Sequence, residues 1–222
     1  MADMRIGVVL SGCGVYDGSE IHEAVVTLLA IDRAGARAVC TAPRMPQLHV
    51  IDHGTGHPVQ GETRDVYQEA ARLARGDIRD LANLRVADLE ALVFPGGFGA
   101  AKNLCDFALN GADCTVHPEV SRIVLECHRA KVPIGAMCIA PVILAKVLGV
   151  HHPRLTIGTD PGTAAALESM GARHQHCAPD DIVVDLDLRL VTTPAYMTAG
   201  SIAAAAAGIE KLVQQVTALA RT

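Results

Sequence analysis

Short apolar runs alternate with amphipathic stretches along most of the chain. Met4–Leu10 is an apolar run stopped by Ser11-Gly12, which predicts a buried strand. Ser19–Ala34 then carries helical spacing, with Asp17 and Glu20 at capping-box separation and Gly35 where a C-terminal cap belongs. Ala36–Thr41 follows as a second strand and completes one βαβ unit. Residues 43–88 break the rhythm. A small hairpin is expected from His49–Asp52 and His57–Gln60, and a short helix from Tyr67–Arg75. With too few apolar residues for a core of its own, this stretch reads as an insertion after the second strand.

The alternation resumes at Leu89–Phe94, a strand ended by Pro95-Gly96-Gly97. Helices are expected at Ala100–Leu109 and Pro118–Ala130, a strand at Pro133–Met137, and a helix from Ile139 to about Leu148. Arg154–Thr159 reads as a strand, Gly162–Met170 as a helix, Ile182–Asp185 with Arg189–Thr193 as a hairpin, and Ala199–Ala220 as a long helix. The order predicts an α/β fold spanning 1–222 as a single domain: a doubly wound, mostly parallel sheet with helices on both faces.

Composition narrows the function classes. Half of the 222 residues are hydrophobic but only 3% are aromatic, so Val, Leu, Ile and Ala must fill the core. A net charge of −5 without a Lys/Arg block argues against nucleic acid as a partner. No apolar run is long enough to predict a membrane span. Seven cysteines without a C-x-x-C pair read as free thiols in a reducing compartment, and with no signal-peptide pattern the expected location is cytoplasmic.

The strongest chemical signal is Pro133-Ile-Gly-Ala-Met-Cys138-Ile-Ala-Pro141. A strand runs into a helix with Cys138 at the junction, and Ala136 and Ala140 flank it two residues away, as in a nucleophile elbow with alanines in place of glycines. The helix N-terminus there is expected to lower the thiol's pKa and favour the nucleophilic thiolate. Gly97 ends its strand on the same sheet edge, so its N–H and that of Ile139 make a candidate oxyanion hole. Glu20 and Glu23 open the first helix, where helix-dipole complementarity explains Glu20. Glu23 shares a face with Thr27 and Ala30, away from Ile21, Val25 and Leu28, and is placed to reach Cys138 as a protonated acid. Asp160 is either a substrate or proton-relay partner or a helix cap, and Cys13, in the glycine turn after the first strand, is a second candidate for the substrate or proton-relay role.

Other motifs are weaker. Gly12-x-Gly14-x-x-x-Gly18 resembles a dinucleotide loop, but no acid stands near Cys40 to hold a ribose, and only Arg44 keeps an NADP-dependent reductase in view. Gly97-x-Gly99-x-x-Lys102 lacks the ending of a P-loop. His174-Gln-His176-Cys177 lacks further groups at ligand spacing and reads as an exposed loop, so no metal is expected.

Five segments together resemble the class I glutamine amidotransferase-like superfamily, in its glyoxalase and deglycase branch and its isoprenoid-biosynthesis members. They are Ile6–Glu23, Phe94–Leu104 (FPGGFGAAKNL), Met137–Pro141 (MCIAP), Leu155–Asp160 (LTIGTD) and Val191–Met197 (VTTPAYM). The resemblance covers essentially the whole chain. It implies a flavodoxin-like sandwich, a homodimer, a Cys138 nucleophile, Glu23 as helix-one glutamate and Gly97 as oxyanion glycine. It also implies a glutathione-independent glyoxalase acting on small dicarbonyls without a cofactor. Asp160 stands where many relatives carry a histidine, and no late His-x-Glu follows Cys138, so glutamine hydrolysis is not implied. A second reading makes Cys138 a redox sensor rather than a catalyst.

Overall fold

The computed structural model describes residues 4–222. Its first half runs β1 (Arg5–Val9), α1 (Ile21–Arg33), β2 (Arg37–Ala42), β3 (Ile51–Asp52), β4 (His57–Pro58), α2 (Val66–Leu73), β5 (Arg79–Asp80) and β6 (Ala91–Phe94). There follow α3 (Phe98–Lys102), α4 (Phe107–Asn110), α5 (Pro118–Arg129), β7 (Ile134–Met137), α6 (Pro141–Leu148), β8 (Arg154–Leu155), α7 (Pro161–Ser169), β9 (Arg173–His174), β10 (Val183–Asp185), β11 (Leu190–Thr193) and α8 (Ile202–Ala220).

Seven strands form one sheet in the order β10-β11-β7-β6-β1-β2-β5. Every pairing in it is parallel except β10 with β11, the expected terminal hairpin. One sheet face packs Ile6, Val8 and Leu10 against Ile31 of α1 and Ile209 and Leu212 of α8. The other packs Val9, Leu92 and Phe94 with Ile123 of α5 and Ile143 of α6. The expected flavodoxin-like, doubly wound arrangement is therefore present. Strand order reverses beside β1, which places a crevice outside the carboxyl ends of β1, β6 and β7.

Four local expectations are corrected. The insertion adds more than a hairpin, because Arg79–Asp80 joins the main sheet as an edge strand parallel to β2. Arg154–Thr159 is not a strand of that sheet: only Arg154–Leu155 is extended, and it pairs with Arg173–His174 in a separate two-stranded ladder. The single helix expected over Ala100–Leu109 is split at 103–106, where Cys105 forms an isolated bridge with Val116. Asp17 does not cap α1. The cap is Glu20, whose Oε2 accepts the Glu23 N–H at 2.7 Å, while buried Asp17 accepts the Ile51 N–H at 2.7 Å and holds the insertion to the glycine turn.

Asn103 explains the split in the helix. Its Nδ2 donates to Ser11 O and Asp17 O, both at 2.9 Å, and its Oδ1 accepts the Leu48 N–H at 3.0 Å. One buried amide thus joins the end of β1, the insertion and α3. Asn103→Ala leaves these groups without partners and is expected to lower the unfolding free energy by about 3 kcal/mol. Urea denaturation with an unchanged m-value is the check.

Candidate functional site

Cys138 sits where β7 stops and before α6 begins. Its φ is +57°, a left-handed conformation that costs a non-glycine residue about 1–2 kcal/mol. Two main-chain bonds hold the turn: Cys138 N–H donates to Thr193 O at 3.1 Å, and Ala140 N–H donates to Met137 O at 3.0 Å. The helix starts at Pro141 rather than Ile139, and Ala136 and Ala140 are fully buried. This is the sharp turn the sequence predicts, with small residues where the backbone is crowded.

Glu23 lies beside it, fully buried on the inner face of α1. Its Oε2 accepts the Gly96 N–H at 2.8 Å and its Oε1 accepts the Tyr196 N–H at 3.2 Å. Burial raises the carboxyl strongly; the Tyr196 N–H opposes that and nearby Glu20 adds to it, which brings it from an ordinary 4.5 to about 7. Glu23 is therefore poised between acid and carboxylate near neutral pH.

The Cys138 thiol faces this carboxyl and the N–H groups of Gly97 and Ile139. Its pKa lies well above the ordinary thiol value, first from burial and then from the charge of Glu23, while the two N–H groups pull it down. The expected resting thiolate is thus corrected: the N–H groups at the turn act in the expected direction, but desolvation is larger. Cys138 rests as a thiol next to a group able to take its proton.

A cavity of about 450 Å³ opens over Cys138. Val15, Phe98, Phe107, Ala108 and Met197 give it an apolar lining, and Glu20, Asp160, Thr163 and Tyr196 supply the polar edge. The structure brings Cys138, Glu23, Gly97 and Ile139 together. Asp160 is on the cavity rim as the cap of α7, its Oδ2 accepting the Thr163 N–H at 2.7 Å, which holds an exposed carboxyl below its ordinary range. The cap reading is the one the structure shows directly, and the carboxylate's place on the rim leaves it facing the cavity. Cys13 does not line the cavity; its thiol is near Glu69 and Arg72, and burial raises its pKa. Its proposed relay role is dropped on that geometry.

Sequence reasoning missed Glu20, Phe98, Phe107 and Tyr196 as cavity residues. Glu20 was hidden by its capping role, which it performs as well. Tyr196 lies within the VTTPAYM segment, where its hydroxyl meets His22 Nδ1 at 2.8 Å. Arg44 stacks on Tyr67 at 3.7 Å and pairs with Asp80 at 3.3 Å, so the 2′-phosphate role is taken up by protein contacts. Among the described residues no cluster of three or more His, Cys, Asp or Glu side chains forms a metal site.

No family model matches the chain. A human protein, "Glutamine amidotransferase-like class 1 domain-containing protein 3, mitochondrial", is 49% identical over 97% of this chain and 83% of its own length. The chain belongs to the class 1 glutamine amidotransferase-like family. The zebrafish "ES1 protein, mitochondrial" is 36% identical over 87% of this chain and 77% of its own. A solved structure described as an isoprenoid biosynthesis protein with amidotransferase-like domain, from Ehrlichia chaffeensis, superposes with a TM-score of 0.89 at 35% identity, covering 97% of this chain and 99% of that one. The curated relatives are named mitochondrial, which overturns the expected cytoplasmic location. Free cysteines had indicated a reducing compartment without saying which one. No helix among the described residues is long and apolar enough to cross a membrane.

Glu23 makes stability depend on pH in a defined direction. Its folded pKa lies above the unfolded one, so the folded state holds more protons between pH 4.5 and about 7. Its contribution is fully present below pH 4.5 and is lost as pH rises to about 7. Wild type is expected to lose about 3 kcal/mol across that window relative to Glu23→Gln, from 1.36 kcal/mol per pKa unit. Chemical denaturation at a series of pH values reads the difference.

Proposed function

We propose that the chain, working as one domain over 1–222, is a cysteine-dependent, glutathione-independent glyoxalase of the enhancing-lycopene-biosynthesis (ElbB) type. It converts glyoxal and similar 2-oxoaldehydes to 2-hydroxy acids. The observation that carries this reading is the buried Glu23 carboxyl, raised to about 7, facing a neutral Cys138 thiol that lines the cavity.

The chemistry proceeds by proton movement alone. Sulfur adds to the aldehyde carbon as its proton passes to Glu23, and the carbonyl oxygen develops charge beside the Gly97 and Ile139 N–H groups. Glu23 passes that proton on to the oxygen, which becomes the hydroxyl of a hemithioacetal, and is again a carboxylate. Glu23 then takes the proton from this carbon and delivers it to the neighbouring carbon, while the hydroxyl proton passes to the neighbouring carbonyl oxygen, leaving a thioester and a new alcohol. Water cleaves the thioester, so glyoxal plus water becomes glycolic acid and the thiol is restored. Neither metal, glutathione nor nucleotide takes part, because the thiol and the acid supply every transfer. The mainly apolar lining and the absence of Lys or Arg among the lining residues favour an uncharged substrate over glutamine, whose carboxylate would meet Glu20 and Asp160.

The mitochondrial names of the relatives suggest the same compartment for this chain. The expected homodimer is kept as a proposal. Ile21, Val25 and Leu29, one turn apart on α1, are each more than 40% exposed and would form an apolar contact stripe for a second copy.

Glycolate formation from glyoxal, in buffer free of amines and thiols, is the test. Cys138→Ala is expected to abolish turnover, and Glu23→Gln to lower kcat by about 10²–10⁴-fold while the fold is kept. Equal glyoxal loss in all three proteins, or a single stoichiometric burst, refutes the reading and favours the thiol sensor. Asp160→Ala is expected to cost about 1 kcal/mol of stability, as a lost helix cap. Its kcat should fall less than about tenfold, since the side chain plays no part in proton transfer.

A further inference from the structure

One cavity wall is a short closed loop with a thiol at each end. Phe107 and Ala108 line the cavity above Cys138. They belong to the segment between Cys105 and Cys114, which leaves the protein at the split between α3 and α4 and returns ahead of α5. The base of the loop is zipped: Asp106 N–H donates to Thr115 O at 3.1 Å, Thr115 N–H donates to Asp106 Oδ1 at 2.6 Å, and His117 N–H donates to Leu104 O at 2.9 Å. Lys146 reaches in from α6 and donates to Ala112 O at 2.9 Å.

The antiparallel bridge from Cys105 to Val116 places Cys114 two residues along the facing segment, near enough for the two thiols to perturb one another, while Cys105 Sγ donates to Ala100 O at 3.3 Å. Both are free and barely exposed. Each borders a separate surface cleft. Cys114 lies with Lys146 and Leu125 on one of about 500 Å³, and Cys105 lies with Met45 and His117 on another of about 220 Å³. A small oxidant thus approaches either sulfur without passing through the Cys138 cavity. The mechanism proposed for Cys138 uses neither residue.

We propose that Cys105 and Cys114 form a reversible disulfide whose closure fixes the Phe107–Ala108 wall and restricts access to Cys138. The oxidant is hydrogen peroxide. Cys114 sulfur attacks the peroxide oxygen, the O–O bond breaks, and water leaves as Cys114 becomes a sulfenic acid. Cys105 sulfur attacks that sulfur, the S–O bond breaks, and a second water leaves as the S–S bond forms. Two thiols are oxidised and one peroxide is reduced to two waters. Assigning the first attack to Cys114 agrees with its electrostatics. Lys146 shares the Cys114 cleft and its charge favours the Cys114 thiolate, whereas the Cys105 thiol is buried and donates to Ala100 O. Closing the bond takes the Cys105 thiol off Ala100 O, and the strand-like base already holds the two chain segments side by side.

The inference does not rest on glyoxalase activity and is tested without it. The full chain is treated with limiting hydrogen peroxide, and every cysteine is followed by alkylation with iodoacetamide and peptide mass spectrometry. A Cys105–Cys114 linked peptide is expected to accumulate before other thiols are oxidised and to vanish with dithiothreitol. In the oxidised protein Cys138 should alkylate at least about fivefold more slowly, within the usual range of coupling between sites. Cys114→Ser and, from the other side, Cys105→Ser should alkylate at Cys138 at a rate insensitive to peroxide. Oxidation of Cys13, Cys138 or Cys177 with no linked peptide overturns the proposal. So does a linked peptide that leaves the Cys138 rate unchanged. Both readings come from wild type, so they stand even if a serine variant folds poorly.

Discussion

Three stretches of main chain approach one another at Gly96, and the site exists because nothing but hydrogen occupies that point. A Cβ on Gly96 would strike the Cys138 side chain, lie 2.6 Å from Glu23 Oε2 and come within 3.0 Å of Met137 O. The end of β6, the inner face of α1 and the turn after β7 are therefore held at van der Waals distance. Gly96 also supplies both its polar groups to α1: its N–H binds Glu23 and its carbonyl accepts the Glu20 N–H at 3.0 Å. A carboxyl buried without these donors would be costly to ionise at any pH of interest. With them, its two protonation states lie close in energy.

That balance also explains why a buried, neutral thiol suits the chemistry. An exposed thiolate would react with any electrophile that met it. Here burial suppresses the thiolate, and Glu23 stands beside the sulfur as an acceptor for its proton. Gly97 supports the arrangement at φ +91°, a conformation that aims its N–H at the sulfur and leaves no room for a side chain against Gly18 and Glu20.

Much of the fold was legible because apolar strands and amphipathic helices each impose a period. β1, β2, β6, β7 and α1 fall where the pattern places them, within a residue or two. The edge strand β5 was not legible. It is Arg79–Asp80, two charged residues whose main chain pairs with β2, so no apolar signal marks it. Leu155–Thr159 misled for the opposite reason. Leu155 and Ile157 are fully buried, but they fill the core from a segment outside the main sheet, and burial alone does not specify pairing. In the site, the elbow at Cys138 and the position of Glu23 could be read because each depends on local spacing. The direction of the thiol's pKa could not, since it turns on how much protein covers the sulfur. Phe107 and Tyr196 were missed because their role depends on loop paths far from Cys138 in sequence.

The donors that hold Glu23 and face Cys138 have a shared property: all four are main-chain N–H groups, from Gly96, Tyr196, Gly97 and Ile139. Side-chain replacement cannot remove them so long as the backbone keeps its course. The residues that shape the cavity, such as Phe98, Phe107 and Met197, present side chains instead, which a substitution exchanges directly. Proton handling and ligand choice are thereby written in separate parts of the chain. A lineage built on this scaffold can drift from one ligand to another by exchanging wall residues, inheriting the acid–thiol pair intact each time.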